Sequence, residues 1–221
     1  MTKLWSPICE RLGIENPIFG FAHDIEAVAA ITNAGGYGVY GATRRFPHEI
    51  KEELAAIRKL VGDKAFGVDL VLPPGMPEHN SREAIEAEIP EEHKAFVEKL
   101  IDKFQVPTAT QPGMRTRFIR STEIEEEQIQ AVLDSSVDMF ACGIGAPAHV
   151  MKAAKARGKT TLALIGSPHH VQRAIDAGVE ILVAQGYDAG AHTGPIGTYS
   201  LVPQIVDAAG DTPVLVAGGV A

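Results

Sequence analysis

One unit recurs along the chain: an amphipathic segment, then a glycine, then a short apolar run. It occurs in four segments, 27–42, 151–166, 171–186 and 204–219. In each unit a glycine stands where a helix ends and a left-handed backbone is needed. These glycines are Gly35, Gly158, Gly178 and Gly210. The apolar runs are rich in β-branched residues and lack polar alternation, which is typical of strands buried on both faces. The pattern therefore predicts βαβ units and a parallel sheet.

The pattern predicts seven strands and six regular connecting helices. The strands are expected near 17–21, 37–40, 65–71, 137–141, 160–165, 180–184 and 213–217. The helices are expected near 25–33, 48–61, 123–134, 148–157, 168–177 and 199–208. Thr122 and Glu125 have the spacing of a capping box and are predicted to introduce the third of these helices.

The stretch 73–121 interrupts this alternation. It contains prolines at positions 73, 74, 77, 90, 107 and 112. Phe96, Leu100 and Phe104 recur every four residues, which predicts a helix near 91–104. We interpret 73–121 as a partly helical insertion after the third strand of one domain, 1–221, and expect it to act as a lid. A linker between two domains is the alternative, but the same pattern resumes afterwards and disfavours it.

Composition excludes several classes of protein. The 221 residues carry 20 basic and 28 acidic side chains, a formal net charge of -8, whereas a nucleic-acid or anionic-membrane surface needs a basic face. The two cysteines, Cys9 and Cys142, are too few for a disulfide framework. No apolar run approaches about 18 residues, and the first residues lack the apolar core of a signal peptide. We expect a cytoplasmic protein.

Known catalytic and cofactor motifs are largely absent from the sequence. None of the eight histidines has zinc-ligand spacing with a carboxylate or thiol, so no metal site is expected. The sequence lacks a Gly-x-Ser-x-Gly elbow and a phosphate-binding P-loop. The glycines at 35, 36 and 38 precede a strand and do not form the dinucleotide-binding fingerprint.

The segment 185–194 is the strongest candidate for a site. It leaves the carboxyl end of a predicted parallel strand, where α/β folds place their sites. Its glycines and alanines would let backbone amides approach a flat or anionic ligand. His192 lies among them, and histidine is the side chain best suited to proton transfer near neutral pH. The alternative is a tight loop with an exposed His192.

Two further features lie at predicted strand ends. Gly218 and Gly219 end the seventh strand, and bare backbone N–H groups at this end of a barrel commonly hold phosphate. A glycine pair is also an ordinary way to end a strand. Asp69 follows an apolar run and would point from the end of the third strand, although a lone acid there is more often a cap.

In their order and spacing these segments resemble the nitronate monooxygenase family of flavin-binding (β/α)8 barrels. The shared motifs are Pro-Ile-Phe-Gly at 17–20, Asn-Ala-Gly-Gly-Tyr-Gly at 33–38, Phe-Gly-Val-Asp-Leu at 66–70, and the segments 185–194 and 213–221. The resemblance implies an α/β TIM barrel and covers nearly all of the chain outside 73–121.

By this resemblance, FMN lies across the carboxyl face of the barrel. The cofactor-binding positions that it implies are Asp69, Gln185, Gly190, Gly218 and Gly219. His192 matches the active-site histidine, as a base or as a hydrogen-bond donor to the nitronate. The implied reaction oxidises an alkyl nitronate with dioxygen to a carbonyl compound and nitrite. The expected partners are this substrate and dioxygen, without nucleic acid or membrane, and a homodimer remains open.

Three positions depart from the usual pattern of the family. Asp69 replaces an asparagine, and Ala191 replaces the second glycine of Ala-Gly-Gly-His. The turn after the first strand reads Phe-Ala-His-Asp at 21–24 in place of a Gly-Gly-Met type. A changed substrate is consistent with these departures.

Two other functions stay open at this point. Relatives on this scaffold are NAD(P)H-dependent enoyl-thioester or quinone reductases, and a non-catalytic barrel with weak FMN binding is the second alternative. The non-catalytic alternative is motivated by the length of the chain, because a (β/α)8 barrel takes about 250 residues. With seven strands in 221 residues, we expect a C-terminally incomplete version of a longer enzyme.

Overall fold

The computed structural model describes residues 4–78, 81–111, 113 and 117–220. Pro112 of the insertion and Ala221 of the closing motif lie outside them. The chain forms two compact units, one made of residues 1–74 and 127–221 and the other of residues 75–126.

The first unit is built on a curled sheet of seven parallel strands. They are β1 (Phe19–Ala22), β2 (Tyr37–Gly41), β3 (Gly67–Leu70), β4 (Met139–Cys142), β5 (Thr160–Ile165), β6 (Ile181–Gln185) and β7 (Val214–Ala217). Each strand pairs with the next one along the chain, in the order β1 to β7. This is the arrangement of a (β/α) barrel with seven strands among the described residues, and it confirms the predicted fold class.

Helices precede or follow these strands. They are α1 (Pro7–Leu12), α2 (Ile25–Asn33), α3 (Pro47–Val61), α4 (Arg82–Glu88), α5 (Glu91–Phe104), α6 (Thr122–Leu133), α7 (Ala148–Ala156), α8 (Val171–Ala177) and α9 (Thr198–Ala209), with a 3₁₀ turn at Pro168–His170. The six predicted connecting helices are confirmed to within a few residues. All four predicted left-handed glycines have positive φ, from +57° at Gly210 to +102° at Gly178. The helices α1 and α4 were not predicted.

The predicted capping box at the start of α6 is wrong by one residue. The hydroxyl of Ser121 accepts the N–H of Ile124 at 3.3 Å and caps the helix. Glu125 instead forms an ion pair with Arg120 at 3.1 Å. Ser121 and Thr122 can both cap a helix, so the sequence pattern could not distinguish them.

Strand side chains alternate between two apolar clusters. Val68, Phe140 and Leu182 point outward and pack against the helices. The inner cluster consists of Tyr37, Val39, Met139, Ala141, Leu162 and Ile181, together with Ile8 and Cys9 of α1. Strands buried on both faces read as continuous apolar runs, which is why they could be predicted.

The amino ends of the strands are fixed by polar contacts. Arg58 donates to three backbone carbonyls and one carboxylate, those of Gly62, Lys64, Ser136 and Asp138. The distance from its Nη2 to Asp138 Oδ2 is 2.6 Å. These contacts join the loop before β3 to the loop before β4, so this end is structural and the opposite, carboxyl end is free for chemistry.

The unit of residues 75–126 contains α4, α5 and the start of α6. α5 occupies the predicted range 91–104. Neither α4 nor α5 buries a side chain among the described residues. Phe96 and Phe104 are 60% and 65% exposed, so the apolar repeat that predicted α5 does not face a core within this unit.

Candidate functional site

A cavity of about 500 Å³ opens at the carboxyl ends of the strands. Inward-facing apolar side chains of β2, β5, β6 and β7 line it: Val39, Leu162, Leu164, Val183 and Leu215. Phe21 and Ile144 lie at its edge. Sequence reasoning named Phe21, in the turn 21–24, but none of the others as site residues, although the alternation of the strands could have indicated those on β2, β5, β6 and β7. A volume of this size is typical of small-molecule sites.

Asp69 lies in the wall of this cavity, on β3. It is paired in register with Gly41 of β2 and Ala141 of β4, so small residues flank it on both sides. The side chain is only 6% exposed, and its Oδ1 has no hydrogen-bond partner among the described residues. Burial raises the pKa of this carboxyl to about 7, and a backbone N–H of Gly143 partly offsets the rise.

Gln185, the last residue of β6, organises the following loop. Its side-chain Nε2 donates to the backbone carbonyl of His192 at 3.2 Å and to that of Gly190 at 3.4 Å. Both of these loop residues and Gln185 itself line the cavity. The side-chain amide of Gln185 thus holds the loop that carries the predicted site residues Gly190 and His192.

His192 is an exposed side chain that lines the cavity. Neither of its ring nitrogens has a hydrogen-bond partner among the described residues. The imidazole is therefore available to a ligand as donor or acceptor. The two sequence interpretations, an exposed loop histidine and a site histidine, are compatible in this geometry.

The three glycines of the loop have different surroundings. A Cβ on Gly186 would lie 2.1 Å from Oγ1 of Thr198, and one on Gly194 would lie 2.5 Å from the carbonyl oxygen of Gly166. Packing within the protein therefore requires these two glycines. A Cβ on Gly190 would meet nothing within 4 Å, so Gly190 faces open space in the cavity.

Ala191 has a left-handed backbone, with φ of +64°. This conformation costs an L-residue about 1–2 kcal/mol, whereas glycine adopts it freely. The strained residue lies directly before His192, and such strain is frequent at functional sites. The family usually has glycine at this position, so the alanine of this chain has a local conformational cost.

Gly218 and Gly219 follow β7 but are not among the residues that line the cavity, whose lining ends at Ala217. Both have positive φ, +109° and +64°. A Cβ on Gly218 would lie 2.7 Å from the backbone nitrogen of Ala189, and one on Gly219 would lie 3.1 Å from Cβ of Asp188. The structure therefore places this pair against the loop after β6, whose Ala189 lines the cavity.

Asp188 fixes the far end of the same loop. Its Oδ2 accepts the backbone N–H of Thr198, the first residue of α9, at 2.7 Å. This backbone hydrogen bond lowers the pKa of Asp188. The two residues are ten positions apart, and no sequence motif marked the contact.

The unusual turn at 21–24 packs against β2. The Nδ1 of His23 is 2.8 Å from the carbonyl oxygen of Gly41, and its ring meets Phe21 edge-on at 5.0 Å. A Cβ on Gly41 would lie within 2.6 Å of both rings. Asp24 caps α2 by accepting the N–H of Ala27 at 2.8 Å. Of this turn, only Phe21 lines the cavity.

The described residues hold neither a candidate metal site nor a helix that could span a membrane. No group of three or more histidine, cysteine, aspartate or glutamate side chains there could hold a metal ion. None of the helices in this part of the chain is long and apolar enough to cross a bilayer.

Solved structures share this architecture. FabK from Thermotoga maritima superposes with a TM-score of 0.70 at 20% identity, over 99% of this chain and 55% of that one. The nitroalkane oxidase from Streptomyces ansochromogenes superposes with a TM-score of 0.71 at 23% identity, over 97% of this chain and 61% of that one. At these identities the likeness establishes the fold.

Sequence comparisons establish the family. A candidate monooxygenase of Mycobacterium tuberculosis is 37% identical over 97% of this chain. A probable nitronate monooxygenase of Staphylococcus aureus is 28% identical over 96% of it. The chain spans 59% and 60% of the lengths of these two relatives. The family model of nitronate monooxygenase matches residues 8–221. The chain therefore belongs to the nitronate monooxygenase family.

Proposed function

We propose that this chain forms the FMN-binding, nitronate-oxidising site of a flavin-dependent monooxygenase. The reaction converts an alkyl nitronate and dioxygen to a carbonyl compound and nitrite. One observation carries the proposal: Asp69 on β3 lines the same cavity as Gln185, Gly190 and His192, which belong to a segment far away from it in sequence. Such convergence of polar groups in an apolar pocket is the usual mark of a small-molecule site.

The residues present fit a flavin. The floor of aliphatic side chains suits a flat aromatic ring, and the open space at Gly190 leaves room for it. The unpartnered Oδ1 of Asp69 is a buried polar atom that a ring-edge group would satisfy. The backbone N–H groups of Gly218 and Gly219 donate to no acceptor among the described residues and would hold the phosphate beside the cavity wall.

His192 is the proposed catalytic residue. When bound, FMN would supply the electron transfer between nitronate and dioxygen. The imidazole, at the cavity edge with both nitrogens available, would donate a hydrogen bond to a nitronate oxygen or remove the proton from the carbon beside a nitro group. Gln185 would position it through the backbone, and the apolar walls would limit the entry of water.

An anaerobic absorption experiment tests this proposal. The purified chain is loaded with FMN, its visible spectrum is recorded, and ethyl nitronate is added without oxygen, followed by NADH in a separate sample. We expect the nitronate to change the flavin spectrum without NADH. A flavin that responds to NADH and not to the nitronate would instead support the reductase alternative. No bound flavin, or a flavin that responds to neither, would support the non-catalytic alternative.

A further inference from the structure

Two titratable side chains, Asp69 and His192, line the cavity. All of the lining residues lie in the described part of the chain. Asp69 is the buried one, and its Oδ1 lacks a partner in the described part of the chain. In a carboxylate at this position Oδ1 would be an acceptor without a donor, and the N–H of Gly143 only partly offsets the effect of burial, whereas the neutral acid carries an O–H that a ligand could accept.

The groups that face Asp69 do not supply a cation. From β2 it meets Gly41, whose carbonyl oxygen is 2.8 Å from the ring of His23. From β4 and the loop after it, it meets Ala141 and Gly143. His192 is the only other titratable side chain of the cavity lining, which contains no lysine or arginine. Burial without a compensating charge favours the neutral form of a carboxyl.

We propose that Asp69 receives the flavin as a neutral acid, that its carboxyl O–H donates a hydrogen bond to an acceptor atom of the ring, and that binding above neutral pH takes up one proton from solvent. This inference rests on the proposed function, because it assumes that the cavity binds a flavin. The carboxyl pKa of about 7 in the free protein places the loss of this donor within an accessible pH range. An ionised Asp69 would present acceptor lone pairs to the acceptor edge of the ring and weaken binding.

The test compares flavin affinity at pH 6 and pH 8. Dissociation constants are measured by quenching of flavin fluorescence, with FMN and with riboflavin, because riboflavin lacks the phosphate that titrates near pH 6. With a pKa of about 7, the neutral fraction of Asp69 falls from about 0.9 to about 0.1 between these pH values. We expect the dissociation constant of wild type to rise about 10-fold.

Two variants isolate the carboxyl group. Asp69→Asn has nearly the same shape and an amide that donates at every pH, so its affinity for riboflavin should not change between pH 6 and pH 8. Asp63→Asn removes the same charge from an exposed position in the loop before β3 and should keep the wild-type pH dependence. Calorimetry at pH 8 in two buffers of different ionisation enthalpy should show about 0.9 proton taken up per riboflavin by wild type and none by Asp69→Asn.

The outcomes separate this inference from the proposed function. Flavin that binds wild type equally at both pH values, or Asp69→Asn with the wild-type pH dependence, would overturn the inference and leave the proposed function standing. If neither flavin binds at any pH, the proposed function fails. The ionisation of Asp69 is then decided by carbon NMR of its carboxyl in the free protein. A midpoint near pH 4 overturns the assignment of Asp69 as a neutral donor.

Discussion

The side-chain Nε2 of Gln185 donates to the backbone carbonyl oxygen of His192 at 3.2 Å. A second contact from the same nitrogen reaches Gly190 at 3.4 Å, so one amide at the end of β6 fixes the loop at two points. Because the loop is otherwise exposed around His192, this amide sets where the imidazole lies relative to the cavity.

Gln185→Glu should misplace His192, because the carboxylate has the same shape but no N–H to donate. Misplacement of a reacting group by about 1 Å can cost about 100-fold in rate. We expect a fall in kcat for nitrite formation of about 10-fold or more with the FMN-loaded chain. Gln204→Glu, an exposed change on α9, is the matched control. An unchanged kcat in Gln185→Glu would show that the hydrogen bond does not position the histidine.

His192→Ala should retain FMN and lose turnover by about 10²–10⁴-fold, the usual contribution of general acid–base catalysis. The flavin spectrum measures cofactor retention, and nitrite release measures turnover. His149→Ala, which removes an exposed histidine of α7, should behave as wild type. Equal turnover in His192→Ala and wild type would make His192 a structural residue.

Ala191→Gly should stabilise the protein, by about 1 kcal/mol, because it relieves the left-handed alanine at φ +64°. Urea unfolding followed by circular dichroism measures the change. The same substitution inside a helix, Ala153→Gly in α7, should instead destabilise by about 1 kcal/mol. Destabilisation by Ala191→Gly would contradict the strain assigned to this position.

Asp69 should make stability depend on pH. Burial in the folded state raises its pKa from the ordinary value of 3.8 to about 7, so the folded state holds the proton more tightly than the unfolded state. The contribution of Asp69 to the free energy of unfolding is fully present below pH 4 and is lost as pH rises to about 7. The total loss is of the order of 4 kcal/mol.

The measurement is the free energy of unfolding of wild type and Asp69→Asn from pH 5 to pH 8. Wild type should lose stability relative to the variant over this interval. The reason is that only wild type has a buried carboxyl whose ionisation is favoured in the unfolded state as pH rises. Asp63→Asn should follow wild type, since that carboxyl is exposed. A constant difference between wild type and Asp69→Asn would mean that Asp69 does not titrate in this range.

Local patterns predicted much of this fold. Glycines such as Gly158 and Gly178 end helices through their own backbone freedom, and buried apolar runs such as β5 form strands irrespective of distant partners. The six-residue helix α1 escaped prediction because its place depends on long-range contacts, including an ion pair of Arg11 with Glu180 at 3.4 Å.

The candidate site, like the fold, could be predicted from the sequence only where the signal is local. The segment 185–194 could be located because a glycine-rich loop after a strand is a local signal. The sequence could not show why Gly186 and Gly190 are glycines, because the reason at each position depends on which atoms of the folded protein lie next to it. The unpartnered oxygen of Asp69 likewise follows from Gly41 and Ala141 on neighbouring strands, which only the sheet register brings together.

Nitrite release from ethyl nitronate, measured in air with the FMN-loaded chain and without NADH, decides whether this cavity oxidises a nitronate by means of FMN. We expect steady nitrite formation that requires FMN and falls by about 10²–10⁴-fold in His192→Ala. A flavin-loaded chain that forms no nitrite above the level of free FMN would contradict it.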